Sequence, residues 1–199
     1  MKSKIESRYK IHNKARICQG DILQDFKYIE IFSEEDAIEW YIPYIVVMTQ
    51  DCDLESDLRN RNEVDILDCD TGEAEEKVEI TQDKFLQSIL VCPAYVAPDL
   101  RKGIHLKDLD LTMESYNSNR WYSIRKNLNP RYHFLDTNPD MQIPDLVIDF
   151  KHYYTVPRNI LYKEFDDKYK GTVNELFREF LSQRFAFYLS RIGLPLVDK

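Results

Sequence analysis

Glycine is scarce, at five positions in 199 residues. Neither G-x-G-x-x-G nor G-x-x-x-x-G-K-[ST] occurs, which excludes the glycine loops that cradle nucleotide phosphates. The four cysteines, Cys18, Cys52, Cys69 and Cys92, are far apart and form no C-x-x-C pair. A structural zinc site needs closely spaced ligands, so no metal and no cofactor is expected. There is no apolar run of about 18 residues to span a bilayer, and no membrane association is expected. The first ten residues are charged and lack the apolar centre of a signal peptide. The expected location is therefore the cytoplasm, with reduced thiols. A net charge of −8 disfavours indiscriminate attraction to nucleic acid but leaves room for a local basic groove. Internal repeats and low-complexity tracts are absent.

What is present suits one domain over residues 1–199, because 43% of residues are hydrophobic and 31% charged. The most informative stretch runs from Tyr44 to Leu54. An apolar, β-branched run, Ile45-Val46-Val47-Met48, ends in Thr49-Gln50-Asp51-Cys52-Asp53. The run reads as a buried strand with Pro43 at its beginning. Its polar end resembles a site carried on a rigid element. The plainer reading makes Cys52 a small buried hydrophobe and the carboxylates turn-forming acceptors for the backbone of the following loop.

Further strands are expected over Ile17–Phe32, Val64–Cys69 with a return at Lys77–Ile80, Ser88–Cys92 closed by Pro93 and Pro98, Arg131–Leu135 and Asp145–Val156. Glu55–Asn62 reads as loop, and Thr81–Gln87 as a short helix. Asp-Cys-Asp recurs at Asp68–Asp70 beside a turn. An insertion over about 100–130 contains a helix within Met113–Lys126, with Trp121, Tyr122, Arg120, Arg125 and Lys126. A final helix is expected over about 172–192. Thr172 and Glu175 give it a capping box, and Gly193 and Pro195 stop it. Its apolar residues recur at helical spacing, so Leu176, Phe180 and Phe187 are expected to pack outside the sheet. The fold class is thus α+β, mainly β: a small antiparallel barrel, core about 15–160, with an inserted helical segment and a C-terminal amphipathic helix.

Four segments in order carry a resemblance: Gly20-Asp21-Ile22, Ile45–Asp53, Leu90-Val91-Cys92-Pro93 and Asp145–Val156. Together they resemble the PemK/MazF family of small SH3-like barrels, whose best-known members are toxin endoribonucleases. The resemblance implies an SH3-like barrel in a prokaryotic toxin–antitoxin or defence assembly. The family's ribonucleases carry an Arg-Pro pair before the central strand and a Thr or Ser after the second turn. Here those places hold Ile42-Pro43 and, near the second, Tyr95. The chain is also similar to prokaryotic proteins with a Ser/Thr-Gln-x-Cys-Asp strand end.

Four functional readings follow. The first is a non-catalytic binding or scaffold module, with Gln50, Cys52, Tyr95 and Arg125 as binding residues. A protein partner would use the aromatic helix, and nucleic acid the basic-aromatic segment Arg120–Arg131. The second is a divergent nuclease using Asp51 or Asp53 with His133 and with Arg131 or Arg125. Phosphodiester cleavage needs a base, an acid and charge stabilisation, so these groups would have to share one cleft. The third makes Cys52 a nucleophile paired with His105, His133 or His152, against which stands the general effect of carboxylates in disfavouring a neighbouring thiolate. The fourth makes Asp51, Cys52, Asp53 and a histidine a metal site, for which the spacing is unspecific. Nothing in the sequence fixes an oligomeric state.

Overall fold

Ile45, Val46, Val47 and Met48 are buried without a break because their strand is covered on both faces. A computed structural model describes residues 7–31, 37–70 and 82–191. Its strands are β1 (Tyr9–Lys10), β2 (Asp21–Ile31), β3 (Ala37–Val47), β4 (Ser88–Val96), β5 (Tyr132–Leu135), β6 (Leu146–Asp149), β7 (Tyr154–Pro157) and β8 (Tyr169–Val173). Its helices are α1 (Asp51–Asp70), α2 (Ala97–Lys102), α3 (Ser118–Arg125), α4 (Arg158–Lys168) and α5 (Glu175–Leu189). All pairings are antiparallel and run β1-β8-β2-β3-β4-β6-β5, with β7 also on β4. The protein is therefore α+β with an antiparallel sheet. Among the described residues the path is open and not a closed barrel.

Alternation along β3 splits its side chains between two cores. Tyr44, Val46 and Met48 join Ile148, Phe150, Leu181 and Phe185 on one face. Ile45 and Val47 join Leu54, Val91, Leu161 and Phe165 on the other. α5 thus covers one face and α4 the other. A third cluster, around Leu100, Ile124 and Phe134, roots the α2–α3 insertion against β5 and β6. No helix among the described residues is long and apolar enough to cross a membrane.

Several expectations are corrected by this arrangement. Glu55–Asn62 and Val64–Cys69 belong to one helix, α1. In its described part, residues 51–62, Leu54 is the one buried hydrophobic residue, so that part carries no apolar period. That burial is worth about 2 kcal/mol. α1 is held as much by Asp57, which is buried and accepts from Arg61 Nε and Leu86 N at 2.8 Å each, and from Arg158. Bonds to a charged group contribute about 1.5–3 kcal/mol each. Pro43 lies inside β3, opposite β2 but before β4 begins to pair at Tyr44, so its missing N–H disturbs one ladder at most. β4 runs through Pro93 to Val96, and Pro98 instead opens α2. Asp145–Val156 is broken into β6, a 3-10 turn over Phe150–His152, and β7. α4 was not expected at all. The Lys77–Ile80 return lies outside the described residues.

The final helix differs in both cap and phase. Asn174 caps α5, its side-chain oxygen accepting from Glu175 N, whereas Thr172 is buried in β8. Leu181 and Phe185 face the core, and Leu176, Phe180 and Phe187 are exposed. Apolar residues ring this helix, so periodicity alone allowed two faces. The phase observed lets the Arg184 guanidinium donate to the carbonyls of Asn127, Asn129 and Tyr132.

Candidate functional site

Asp51 opens α1, where a carboxylate suits the unpaired N–H groups of the first turn. Its two oxygens accept the Arg16 fork at 3.0 Å each, and Oδ1 also accepts Gln19 N at 3.1 Å. Arg178 of α5 stands at 3.4 Å. Its acceptor role in backbone bonding is thus toward the loop before β2, not the segment that follows. These bonds hold its carboxyl below the ordinary range against a desolvation that pushes it up. Cys52 and Asp53 are exposed, and Cys52 Sγ lies 3.7 Å from both Gln50 Oε1 and Asp53 Oδ1. We expect Asp51→Ala to lower the melting temperature, and Asp53→Ala and Cys52→Ser to leave it unchanged. Thermal melts of the three variants check this; equal loss in Asp51→Ala and Asp53→Ala would contradict it.

His133 is buried on β5 against Phe150 and Phe180. Burial, then the Arg184 and Arg8 charges, push its imidazole down to about 3. Arg131 spends its fork on Asp149, at 2.8 and 2.6 Å. Asp51, Arg131 and His133 are therefore engaged with three separate partner sets, and the structure does not bring them to one reacting point. Tyr95 is buried with its ring 4.6 Å from that of His105, and burial pushes its phenol far up. Cys18, Cys52 and Cys92 are free thiols.

A ligating cluster does form elsewhere, from His12, Cys18 and Asp21, with candidate atoms within 4.8 Å of one another. Its lone pairs are already committed. Lys14 N donates to His12 Nδ1 at 3.0 Å, so Nε2 carries the proton and donates to Asp21 Oδ1 at 3.0 Å. Asp21 also accepts Thr172 Oγ1 at 2.6 Å and Cys18 N at 2.7 Å. Burial pushes the Cys18 thiol up to about 11, which keeps its proton on. The cluster serves as a hydrogen-bonded knot joining the segment His12–Cys18 to β2 and β8.

The basic-aromatic insertion has the clearest site geometry. α2 ends at Gly103 in the left-handed region (φ 74), where a Cβ would lie 2.4 Å from Met113 O. Only glycine allows the chain to double back there. Tyr116 N then bonds Arg101 O at 2.9 Å, and Asn117 caps α3 through Arg120 N at 3.0 Å. Buried Ile124 pins α3, and Asn127 pairs with the backbone N and O of Phe134. α2 and α3 thereby border a cleft of about 660 Å³ whose lining includes Arg101, Lys102, Tyr116, Trp121 and Arg125 and one carboxylate, Asp145. A second cleft, of about 420 Å³, shares Arg125 and adds Arg8, Tyr122 and Lys126.

Charge on this face is unevenly spent. Arg120 pairs with Glu114 and Arg8 with Asp136. Arg101, Lys102, Arg125 and Lys126 are exposed and form no ion pair among the described residues, and the Asp145 carboxylate in the first cleft accepts Thr137 N at 2.8 Å. Arg101 and Arg125 lie over the Trp121 and Phe134 rings, at 5.8 and 5.6 Å, and Tyr122 is 60% exposed. The sequence singled out Arg125 and its neighbours on α3. It missed Arg101 and Lys102, which only the doubling back at Gly103 brings alongside. Compared with protein-family models, curated proteins and solved structures, the chain matches none.

Proposed function

We propose that this protein is a binding module for single-stranded nucleic acid, held on the α2–α3 face. One observation carries the reading: four unpaired cations surround Trp121 and the open Tyr122 ring at two clefts that share Arg125. Such a face combines backbone attraction with platforms on which unpaired bases stack. The acidic remainder of the chain, at net −8 overall, would confine binding to this patch. The finer likeness to the SH3-like scaffold of the PemK/MazF family belongs to the same proposal. It is supported by the antiparallel β2–β3–β4 order.

Fluorescence anisotropy with a labelled oligonucleotide, single-stranded or as duplex, tests the reading. Tighter binding to the single strand, weakened by Tyr122→Ala, is expected, because base–aromatic stacking contributes about 1–3 kcal/mol per base. Equal or tighter binding to duplex would overturn it.

A second reading, a scaffold for a protein partner, is favoured by the exposed stripe Leu176, Phe180 and Phe187 on α5. Phe187→Asp should then disturb a partner's docking and leave oligonucleotide binding intact. The nuclease reading through Asp51, His133 and Arg131 has no shared reacting point to support it.

A further inference from the structure

A different chemistry is built where β6 ends. Asp149 is buried and caps the 3-10 turn that follows, accepting Lys151 N at 3.0 Å. Its other contacts are the Arg131 fork and, at 2.8 Å, His152 Nδ1. Arg131 and His152 keep this carboxyl down at about 2 against desolvation, so it is an acceptor only. The His152 Nδ1 therefore carries the proton of that bond, and the Nε2 lone pair is left for other use. The ring is 46% exposed and lines a cleft of about 520 Å³ together with Lys151, Tyr95, Leu106 and Met113. A largely apolar cleft with a few convergent polar groups is the ordinary form of a small-molecule site.

We propose that this cleft is a hydrolytic site for small carboxylic esters with an apolar or aromatic body, with His152 as general base. No Ser, Thr or Cys among the described residues lines the cleft, so water is the nucleophile. Lys151 is the one Lys or Arg in its lining among the described residues, and the nearby Arg131 is spent on Asp149. One cation matches the single negative charge that develops on an ester carbonyl oxygen. A phosphodiester, already charged, would gain a second. His152 Nε2 takes a proton from water as the water oxygen bonds to the acyl carbon and the carbonyl electron pair moves to oxygen, facing Lys151. Collapse breaks the acyl–oxygen bond, and the departing alkoxide takes the proton from Nε2. One ester and one water give one acid and one alcohol. Asp149 is a positioning residue, holding the tautomer and the ring.

The test is pH-stat titration of acid released from ethyl phenylacetate by the full chain. Saturable turnover is expected, with kcat/KM reduced about 100-fold or more in His152→Ala. That side chain is half exposed, so the variant should keep its fold, checked by its melt. Asp149→Asn should lower kcat at unchanged KM when rates are normalised to the folded protein measured by circular dichroism, a normalisation that removes any loss of folded protein. Lys84→Glu, an exposed residue outside this cleft, should leave turnover unchanged. No turnover by the unaltered protein, or equal turnover in His152→Ala, would overturn the proposal.

Discussion

Asp149→Ala is expected to destabilise the protein by about 3–5 kcal/mol, because it leaves the Arg131 guanidinium half-buried with no counter-charge. The same change frees Lys151 N and removes the partner of His152 Nδ1. Removing both halves together, as Asp149→Leu with Arg131→Met, should cost less than Asp149→Ala alone, since no charge is then stranded. Denaturant midpoints of the three proteins check the order. A double variant no more stable than Asp149→Ala would contradict it.

The same residues set an acid limit. Asp149 is held at about 2 in the fold against an ordinary 3.8. Its folded value is depressed, so its contribution, about 2 kcal/mol, is complete above 3.8 and lost as pH falls through 2. His133 is depressed too, from 6.5 to about 3, but by burial of its neutral form. The unfolded chain takes up that proton first. Stability should therefore start to fall below pH 6.5 and fall more steeply below 3.8. His133→Leu should flatten the first decline and leave the second, read as denaturant midpoints from pH 7 down to 3. A profile unchanged in His133→Leu would show that the imidazole is not the group responsible.

Reversing Arg101, Lys102, Arg125 and Lys126 to glutamate should weaken single-strand binding by more than about 100-fold at about 50 mM salt. Each cation lost removes one phosphate contact and each glutamate adds repulsion. All four side chains are exposed and without carboxylate partners among the described residues. Their reversal should therefore leave the melt within the small range typical of surface changes. Reversal at Lys27 and Lys84, exposed residues outside both clefts, should leave binding nearly unchanged.

Much of the sheet was legible in the sequence. The run Ile45–Met48 read as a buried strand, and short connections pointed to antiparallel pairing, but the open strand order was not foreseen. α1 was illegible because its described half is anchored through Asp57, which pairs with Arg61 and with Arg158, the latter 101 residues away. The phase of α5 was hidden for a related reason. Its apolar residues lie all round, and the choice is made by carbonyls of the α3–β5 connection reaching Arg184. At the candidate site, Arg125, Trp121 and Tyr122 were visible as a basic-aromatic segment. Arg101 and Lys102 join them through the αL turn at Gly103. The acidic motif Asp51-Cys52-Asp53 drew attention by composition, yet Asp51 proves to be an anchor for Arg16. Asp149 and His152, three residues apart, looked like parts of one strand. The break between β6 and β7 is what turns them toward each other.

The most direct measurement is the salt dependence of single-strand affinity. Four phosphate contacts imply that log K falls against log salt with a slope of about −3, since each contact on a single strand contributes about −0.7. The slope should fall to about −2 in Arg125→Gln, which removes one contact without adding repulsion. No saturable binding at low salt, or a slope that Arg125→Gln leaves unchanged, would contradict the account of the α2–α3 face.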